Sequence, residues 1–155
     1  MTPAKFQEIL SQVTASIESR PLDSDLEAHL NSEFPADGAV AAAIFTACRE
    51  AIAEGWMCNR EAGGIRYGRV IKADAGLGGF SVDVVDMNEV VGPYHRHPQG
   101  EIDLIMPLTP GATFDGRPAG WLVYAPDSSH APTVAGGNAL VLYLLPHGAI
   151  EFSRS

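Results

Sequence analysis

The sequence has few basic residues, and this shortage excludes two classes of partner. Of its 155 residues, 10 are Lys or Arg and 19 are Asp or Glu, so the formal net charge is -9 and the pI is about 4.8. Phosphate backbones and anionic lipid headgroups are held by clustered Lys and Arg side chains. We therefore expect neither nucleic acid nor a membrane surface as a partner.

Cysteine and long apolar runs are also scarce. No apolar stretch approaches the roughly 20 residues that cross a bilayer, and the first residues lack the basic and apolar regions of a secretory signal. The two cysteines are Cys48 and Cys58, and Cys48 falls within an apolar helical pattern, where a buried thiol is the ordinary interpretation. We expect a cytoplasmic protein that has neither a disulfide nor a thiol nucleophile.

The first third of the chain has the apolar periodicity of helices. Apolar residues recur at helical spacing over residues 6–17 and again over residues 37–54, where Gly55 provides a left-handed stop. Between these two segments, Ser24 and Glu27 have the spacing of a capping box, which predicts the start of a further short helix. About three helices are predicted.

From residue 56 onward the apolar pattern alternates, and turn residues recur about every ten residues. This pattern predicts eight short antiparallel strands, and a jelly-roll β-barrel fits them best because closure removes unpaired edges. We expect one domain over residues 1–155, with the helical segment 1–55 packed on a barrel formed by residues 56–155. The predicted strands are 64–73, 79–87, 90–97, 101–108, 119–125, 130–134, 139–145 and 149–153.

The most informative motif is a pair of histidines followed by a glutamate. Residues two apart on a strand face the same way, so His95 and His97 present two imidazoles to one cavity, and a turn brings Glu101 alongside them. Two imidazoles and a carboxylate can bind a divalent ion and leave positions open. If the strand before His130 pairs back across the barrel, His130 becomes the fourth ligand.

These residues resemble the cupin superfamily, whose first motif is His-x-His followed by Glu and whose second motif carries a Pro and then a His. Gly120 and Pro126 have the spacing of the second motif. The chain also resembles a narrower cupin family, the 4-hydroxylaminobenzoate lyases. Three segments carry this second resemblance: residues 95–107, 114–124 and 139–152.

The resemblance implies an enzyme that converts 4-hydroxylaminobenzoate, or a related aryl hydroxylamine, to a catechol (protocatechuate) and ammonia. It implies a divalent metal ion at the four ligands, and zinc, manganese, iron and nickel all suit histidine and carboxylate. In a second version Glu101 moves protons in a site without metal. Two other functions stay open: a non-enzymatic cupin that binds a small molecule, and an iron-dependent cupin dioxygenase. A homodimer is the expected assembly.

Further candidates surround the motif. Glu101 and His97 are the first candidate catalytic residues, and Tyr124 is a third if its side chain faces inward. Arg69 and Arg66 are candidates for binding a substrate carboxylate through a bidentate pair of hydrogen bonds. Two more roles stay open: Asp103 either orients a ligand histidine or is a carboxylate at the barrel mouth, and His147 lies near a turn.

Overall fold

The computed structural model describes residues 1–152 of the chain, and its first third is helical as predicted. Thr2 caps the first helix by accepting a hydrogen bond from the Lys5 N–H, and Gly55 ends the third in the left-handed conformation. Within the described residues, no helix combines the length and apolar character needed to cross a membrane. The helices are α1 (Pro3–Ser16), α2 (Ser24–Glu33) and α3 (Ala39–Glu54).

The rest of the described chain forms antiparallel strands in two sheets. One sheet has the order β1-β2-β3-β9-β5-β7, with β6 also paired to β9, and the second has the order β10-β4-β8. The fold is therefore the predicted mainly β jelly roll, built as two sheets rather than as one continuous ladder. The strands are β1 (Arg60–Ala62), β2 (Ile65–Ile71), β3 (Phe80–Val91), β4 (His95–His97), β5 (Glu101–Pro107), β6 (Thr113–Phe114), β7 (Gly120–Tyr124), β8 (Ser128–His130), β9 (Thr133–Pro146) and β10 (Glu151–Phe152).

Two predicted turns are irregularities inside long strands. The predicted break near Glu89 is a shift of register between β3 and β9, at which Glu89 adopts a φ of +44°. Gly136 and Gly137 also have positive φ values, yet β9 continues through them. The short strands β1 and β6 were not predicted, and Ser153 of the last predicted strand lies outside the described residues.

The large sheet is buried on both faces, which explains why β5 is apolar at almost every position. Ile102 and Leu104 belong to the core that contains helix residues such as Phe6 and Leu30. Ile105, on the alternate face, belongs to a second core. Glu101 and Asp103 share this second face, so the alternation of β5 aims both carboxylates away from the helices.

The capping-box prediction for α2 was wrong in its details. The Asp23 carboxylate, rather than the Ser24 hydroxyl, caps the helix by accepting a hydrogen bond from the Leu26 N–H at 2.9 Å. Glu27 does not reach back to the helix start; its Oε1 accepts a hydrogen bond from the Val123 N–H in β7 at 2.9 Å. Glu27 therefore helps to dock α2 on the sheet.

Asn31 supplies a second polar contact between α2 and β7. Its Oδ1 accepts a hydrogen bond from the Trp121 N–H, and its Nδ2 donates to the Trp121 carbonyl, both at 2.9 Å. The Trp121 indole N–H also donates to the Phe34 carbonyl at 2.9 Å. The Asn31 amide thus forms hydrogen bonds with both backbone polar groups of Trp121, as a residue of a neighbouring strand would. These bonds fix the position of α2 on β7.

Candidate metal centre

Four side chains meet between the two sheets. One donor atom from each of His95, His97, Glu101 and His130 lies within 4.8 Å of the donor atoms of the other three. The His95 and His130 Nε2 atoms are 3.0 Å apart. Glu101 Oε2 lies 3.3 Å from His97 Nε2 and 3.6 Å from His130 Nε2, and Glu101 Oε1 lies 3.8 Å from His95 Nε2. The structure therefore brings together all four predicted ligands.

Strand geometry positions the ligands. His95 and His97 share one face of β4, as their spacing predicts, and His130 of β8 pairs directly with His95 across the small sheet. The turn before Glu101 requires a glycine at position 100, where φ is +88° and a Cβ would lie 2.7 Å from the Tyr124 carbonyl oxygen. This tight turn returns the chain into the large sheet, so that Glu101 faces the histidines.

Each histidine has an oxygen partner on its outer nitrogen. Nδ1 of His95 lies 3.1 Å from the Pro93 carbonyl oxygen, and Nδ1 of His97 lies 2.9 Å from the Ser128 hydroxyl. Nδ1 of His130 lies 2.6 Å from a carboxylate oxygen of Asp115. Such partners fix ring orientation and tautomer at metal sites. All three Nε2 atoms are therefore left to face the cluster.

The hydrogen-bond partners of His95 and His130 determine their tautomers, and these tautomers bring two nitrogen lone pairs into close contact. A carbonyl oxygen and a carboxylate oxygen can only accept, so Nδ1 of His95 and Nδ1 of His130 each carry the proton. In neutral rings the two Nε2 atoms then present lone pairs to each other at 3.0 Å. Two lone pairs at this distance repel unless a cation or a proton lies between them, and a divalent cation would remove the repulsion.

Glu101 supplies a negative charge at the same point. The residue is fully buried, and within residues 1–152 neither carboxylate oxygen has a hydrogen-bond partner; His97 Nε2 also lacks one. Burial alone would raise the pKa of Glu101, but the His95 and His97 rings beside it hold that pKa below its usual value. The group is therefore an ionised carboxylate whose oxygens need a partner.

A divalent metal ion fits this donor set. For metal–ligand bonds of about 2.1 Å, ligand atoms at tetrahedral or octahedral angles are about 3.0–3.4 Å apart. The shortest separations in the cluster, 3.0 and 3.3 Å, match this spacing. An ion would also satisfy the three unpartnered atoms of Glu101 and His97, which are costly to bury alone.

Asp115, like Ser128, lies beside the cluster and was not predicted. Its Oδ2 accepts hydrogen bonds from Tyr124 Oη and His130 Nδ1, and its Oδ1 accepts from the Thr133 N–H at 2.9 Å. Burial would raise the pKa of Asp115, but these donors hold it below its usual value. Asp115 precedes Gly116, and in the sequence this pair indicates only a turn.

Tyr124 faces the cluster, as its candidate catalytic role requires. Its ring centroid lies 4.6 Å from that of His130 and 5.4 Å from that of His97. Burial and the hydrogen bond to Asp115 raise the pKa of Tyr124, so the phenol keeps its proton at neutral pH. Because that proton is donated to Asp115, the lone pairs of Oη are free to accept a hydrogen bond.

A cavity of about 720 Å³ adjoins His95. Its walls are mainly apolar and aromatic, and its polar lining includes Arg69, Asp83 and Tyr143. Arg69 donates two hydrogen bonds to Asp83, from Nε at 2.9 Å and from Nη2 at 3.1 Å. The cavity is large enough for a substituted benzene ring, with His95 of the cluster on one wall and both Arg60 and Arg69 in its lining.

The structure does not bring Arg66 to this cavity. Arg66 is three residues from Arg69 on β2 and therefore lies on the opposite face of the strand, with Nη1 4.0 Å from Asp86 Oδ2.

His147 is exposed in a turn after β9. Asp103 is fully buried and is not a surface carboxylate at the barrel mouth. Burial and the charge of Glu101 raise the pKa of Asp103 well above its usual value.

The two-sheet jelly roll and the buried cluster of three histidines and one glutamate define the class of the protein, which is a cupin. The family described as PnbB, 4-hydroxylaminobenzoate lyase, matches residues 8–152. The chain belongs to this family.

The proteins similar to the chain include two curated relatives and a solved cupin structure. A 4-hydroxylaminobenzoate lyase of Nocardioides is 32% identical over 145 residues, which are 88% of this chain and 86% of that protein. A 4-hydroxylaminobenzoate lyase of Pseudomonas putida is 30% identical over 155 residues, covering 89% of this chain and 88% of that one. An RmlC-like cupin from Ralstonia eutropha has a TM-score of 0.44 and 14% identity, covering 59% of this chain and 60% of that one.

Proposed function

We propose that the chain converts 4-hydroxylaminobenzoate to protocatechuate and ammonia. The reaction adds one water and removes the nitrogen as ammonia, so it needs no external oxidant or reductant. The N-hydroxyl takes a proton and leaves as water, and a second water adds to the neighbouring ring carbon and gives up a proton. A third water hydrolyses the resulting C=N bond and releases ammonia, and the ring ketone then tautomerises to the catechol. Family membership and the identity of the curated relatives support this substrate.

The observation that carries the proposal is the buried cluster, with its unpartnered Glu101 oxygens and its facing Nε2 lone pairs. We propose that His95, His97, Glu101 and His130 bind one divalent ion, for which zinc, manganese, iron and nickel are all suitable. Such an ion would supply a Lewis acid that lowers the pKa of water at the cluster.

The cavity gives the substrate an orientation. In this proposal the ring packs on the apolar walls beside His95, and the hydroxylamino group faces the cluster. The carboxylate approaches Arg69, whose Nη1 is not used in the contacts with Asp83. Because Asp83 already holds Nε and Nη2, Arg69 is fixed in place before the substrate arrives, and less entropy is lost on binding.

We assign roles in the reaction to three side chains: Tyr124, His97 and Glu101. The Oη of Tyr124 accepts a hydrogen bond from the hydroxylamino group and orients the N–O bond, because its own proton is held by Asp115. His97 holds its ligand orientation through Ser128. In the version of the site without metal, a carboxylate oxygen of Glu101 takes a proton from the attacking water and returns it to the departing nitrogen.

We also propose that the enzyme acts in the cytoplasm as a homodimer. Both cysteines are free and buried, which is compatible with a reducing compartment. A twofold dimer is the commonest assembly of soluble enzymes. Light scattering on the purified protein measures the mass directly; a value for two chains supports the dimer, and a value for one chain rejects it.

The test of the function is an assay under nitrogen. Purified protein is incubated with 4-hydroxylaminobenzoate without oxygen, and ammonia and protocatechuate are measured together. The proposal predicts equal amounts of the two products. Products that require dissolved oxygen would indicate a dioxygenase, and binding without turnover across several aryl hydroxylamines would indicate a binding protein; either result rejects the lyase.

A further inference from the structure

We propose that Asp115 is a positioning residue that fixes His130 as a metal ligand by holding the ring with its proton on Nδ1. The inference rests on the metal centre proposed above. Asp115 lies in a turn next to the four proposed ligands and is not itself a ligand. It acts on the cluster through His130 and on the substrate through Tyr124.

Both carboxylate oxygens of Asp115 accept hydrogen bonds. Oδ2 lies 2.6 Å from His130 Nδ1 and also accepts the phenol proton of Tyr124. Oδ1 accepts the Thr133 N–H at 2.9 Å. The side chain is largely buried, with 13% of its surface exposed. A short, charge-assisted hydrogen bond in such a site is stronger than a neutral one and has a defined direction.

The backbone holds the carboxylate in place. Asp115 lies in a turn closed by two hydrogen bonds of 2.9 Å between Phe114 and Arg117. Its φ of +50° is in the left-handed region, where Asp and Asn are tolerated better than other side chains. The Asp115 N–H also donates to the Thr133 carbonyl at 2.8 Å. Main chain and side chain therefore hold the start of β9, which begins at Thr133, three residues after His130.

An asparagine at position 115 would fit the same space but reverse the tautomer of His130. Asparagine has one acceptor oxygen and one donor NH₂ group, whereas the site offers three donors. The Thr133 N–H is a backbone donor that cannot change, so the amide oxygen is required there. The NH₂ group then faces His130 Nδ1, which must accept. The ring proton moves to Nε2 and points into the cluster, where it blocks the lone pair that a metal needs.

The experiment compares Asp115→Asn with the wild-type protein by two measurements. The first is the tautomer of His130, observed by nitrogen NMR of ¹⁵N-histidine-labelled, metal-free protein at alkaline pH. The second is zinc affinity, determined by competition with a chromogenic chelator. We expect the Nδ1–H form in the wild type and the Nε2–H form in the variant. Zinc affinity should fall by about 10- to 100-fold, the usual effect of losing an outer partner of a metal-bound histidine.

Two control variants separate positioning from folding. Asp127→Asn makes the same substitution at another left-handed residue, whose exposed side chain pairs with Arg96; it should leave both measurements unchanged. Tyr124→Phe removes the phenol but keeps the contact of Asp115 with His130, so zinc affinity should stay within about threefold, far less than a lost outer partner costs.

Failure of the Asp115 inference and failure of the proposed metal centre give different results. An Nε2–H tautomer in the wild type would overturn the inference whether or not the variant folds. Unchanged zinc affinity in folded Asp115→Asn would overturn it as well. If the wild type binds no divalent ion at all, the proposed metal centre fails, and the tautomer measurement still decides whether Asp115 orients His130.

Discussion

His95 and His130 point their Nε2 atoms at each other across the small sheet at 3.0 Å, while the Nδ1 atom of each ring is held by an oxygen outside the cluster. This relationship joins two strands in register and leaves two lone pairs facing each other. It predicts that the cluster is a cation site whose occupancy depends on both rings.

Replacement of His130 by Gln should weaken metal binding. Glutamine removes the imidazole nitrogens but keeps a polar side chain at this position. We expect zinc affinity to fall by at least about 100-fold and ammonia release to fall with it, as is typical when a site loses a ligand or a partner that orients one. His147→Gln, at the exposed turn, is the matched control and should behave like the wild type.

The pair of Arg69 and Asp83 should determine the preference for a carboxylate on the ring. Substituting both together, Arg69→Gln with Asp83→Asn, avoids leaving a buried charge unpaired. We expect the KM for 4-hydroxylaminobenzoate to rise by about 10- to 100-fold, the equivalent of a lost hydrogen bond to a charged group. The KM for phenylhydroxylamine, which lacks the carboxylate, should change little.

The control for this double variant lies on the same two strands. Arg66→Gln with Asp86→Asn changes a similar ion pair on the opposite face of β2 and β3, away from the cavity. Its KM values should equal those of the wild type. An equal rise in KM for both substrates in the Arg69 variant would show that the pair does not recognise the carboxylate.

Asn31→Ala should destabilise the fold without touching the metal centre. The change leaves the N–H and carbonyl of Trp121 without their partners, and an unsatisfied buried group costs about 1–3 kcal/mol. For a chain of this size we expect the midpoint of thermal unfolding to fall by about 3–10 °C. Gln12→Ala, at an exposed position of α1, should shift the midpoint by less than about 1 °C, since surface changes rarely cost more than about 0.5 kcal/mol.

Both cysteines should be unreactive in the native protein. Burial, followed by the charge of Asp86, raises the pKa of Cys58 to about 12, and burial raises the pKa of Cys48 further. The reactive thiolate is therefore scarce at neutral pH, and its fraction rises as the pH approaches the raised pKa. Titration with a thiol reagent at neutral pH should label neither cysteine before denaturation and both after it. Rapid labelling of the native protein would contradict the burial of these side chains.

The sequence was sufficient to predict the helices and the convergence of His95, His97 and Glu101, because these depend on local geometry. The alternation of His95 and His97 and the turn before Glu101 are properties of neighbouring residues. His130 was reached through its distance from Pro126 and through the resemblance to cupins. The two predicted breaks in β3 and β9 were wrong because positive φ values and glycines occur in bulges as well as in turns.

Asp115 could not be predicted because its contact with His130 depends on how two loops approach each other in space. An Asp-Gly pair predicts a turn and says nothing about what the carboxylate touches. Arg66 and Arg69 are a different case. Residues three apart on a regular strand face opposite ways, so the sequence indicates that both cannot line one cavity, but not which of them does.

In the proposed function, ammonia release depends on a metal ion held by His95, His97, Glu101 and His130. The most direct test measures metal content and anaerobic ammonia release on one preparation of the wild-type protein, as purified, after chelation and after a divalent ion is restored. We predict about one ion per chain for a four-ligand site, loss of the ion and of ammonia release on chelation, and recovery of both on restoration. Full ammonia release from protein that contains no metal would contradict the account.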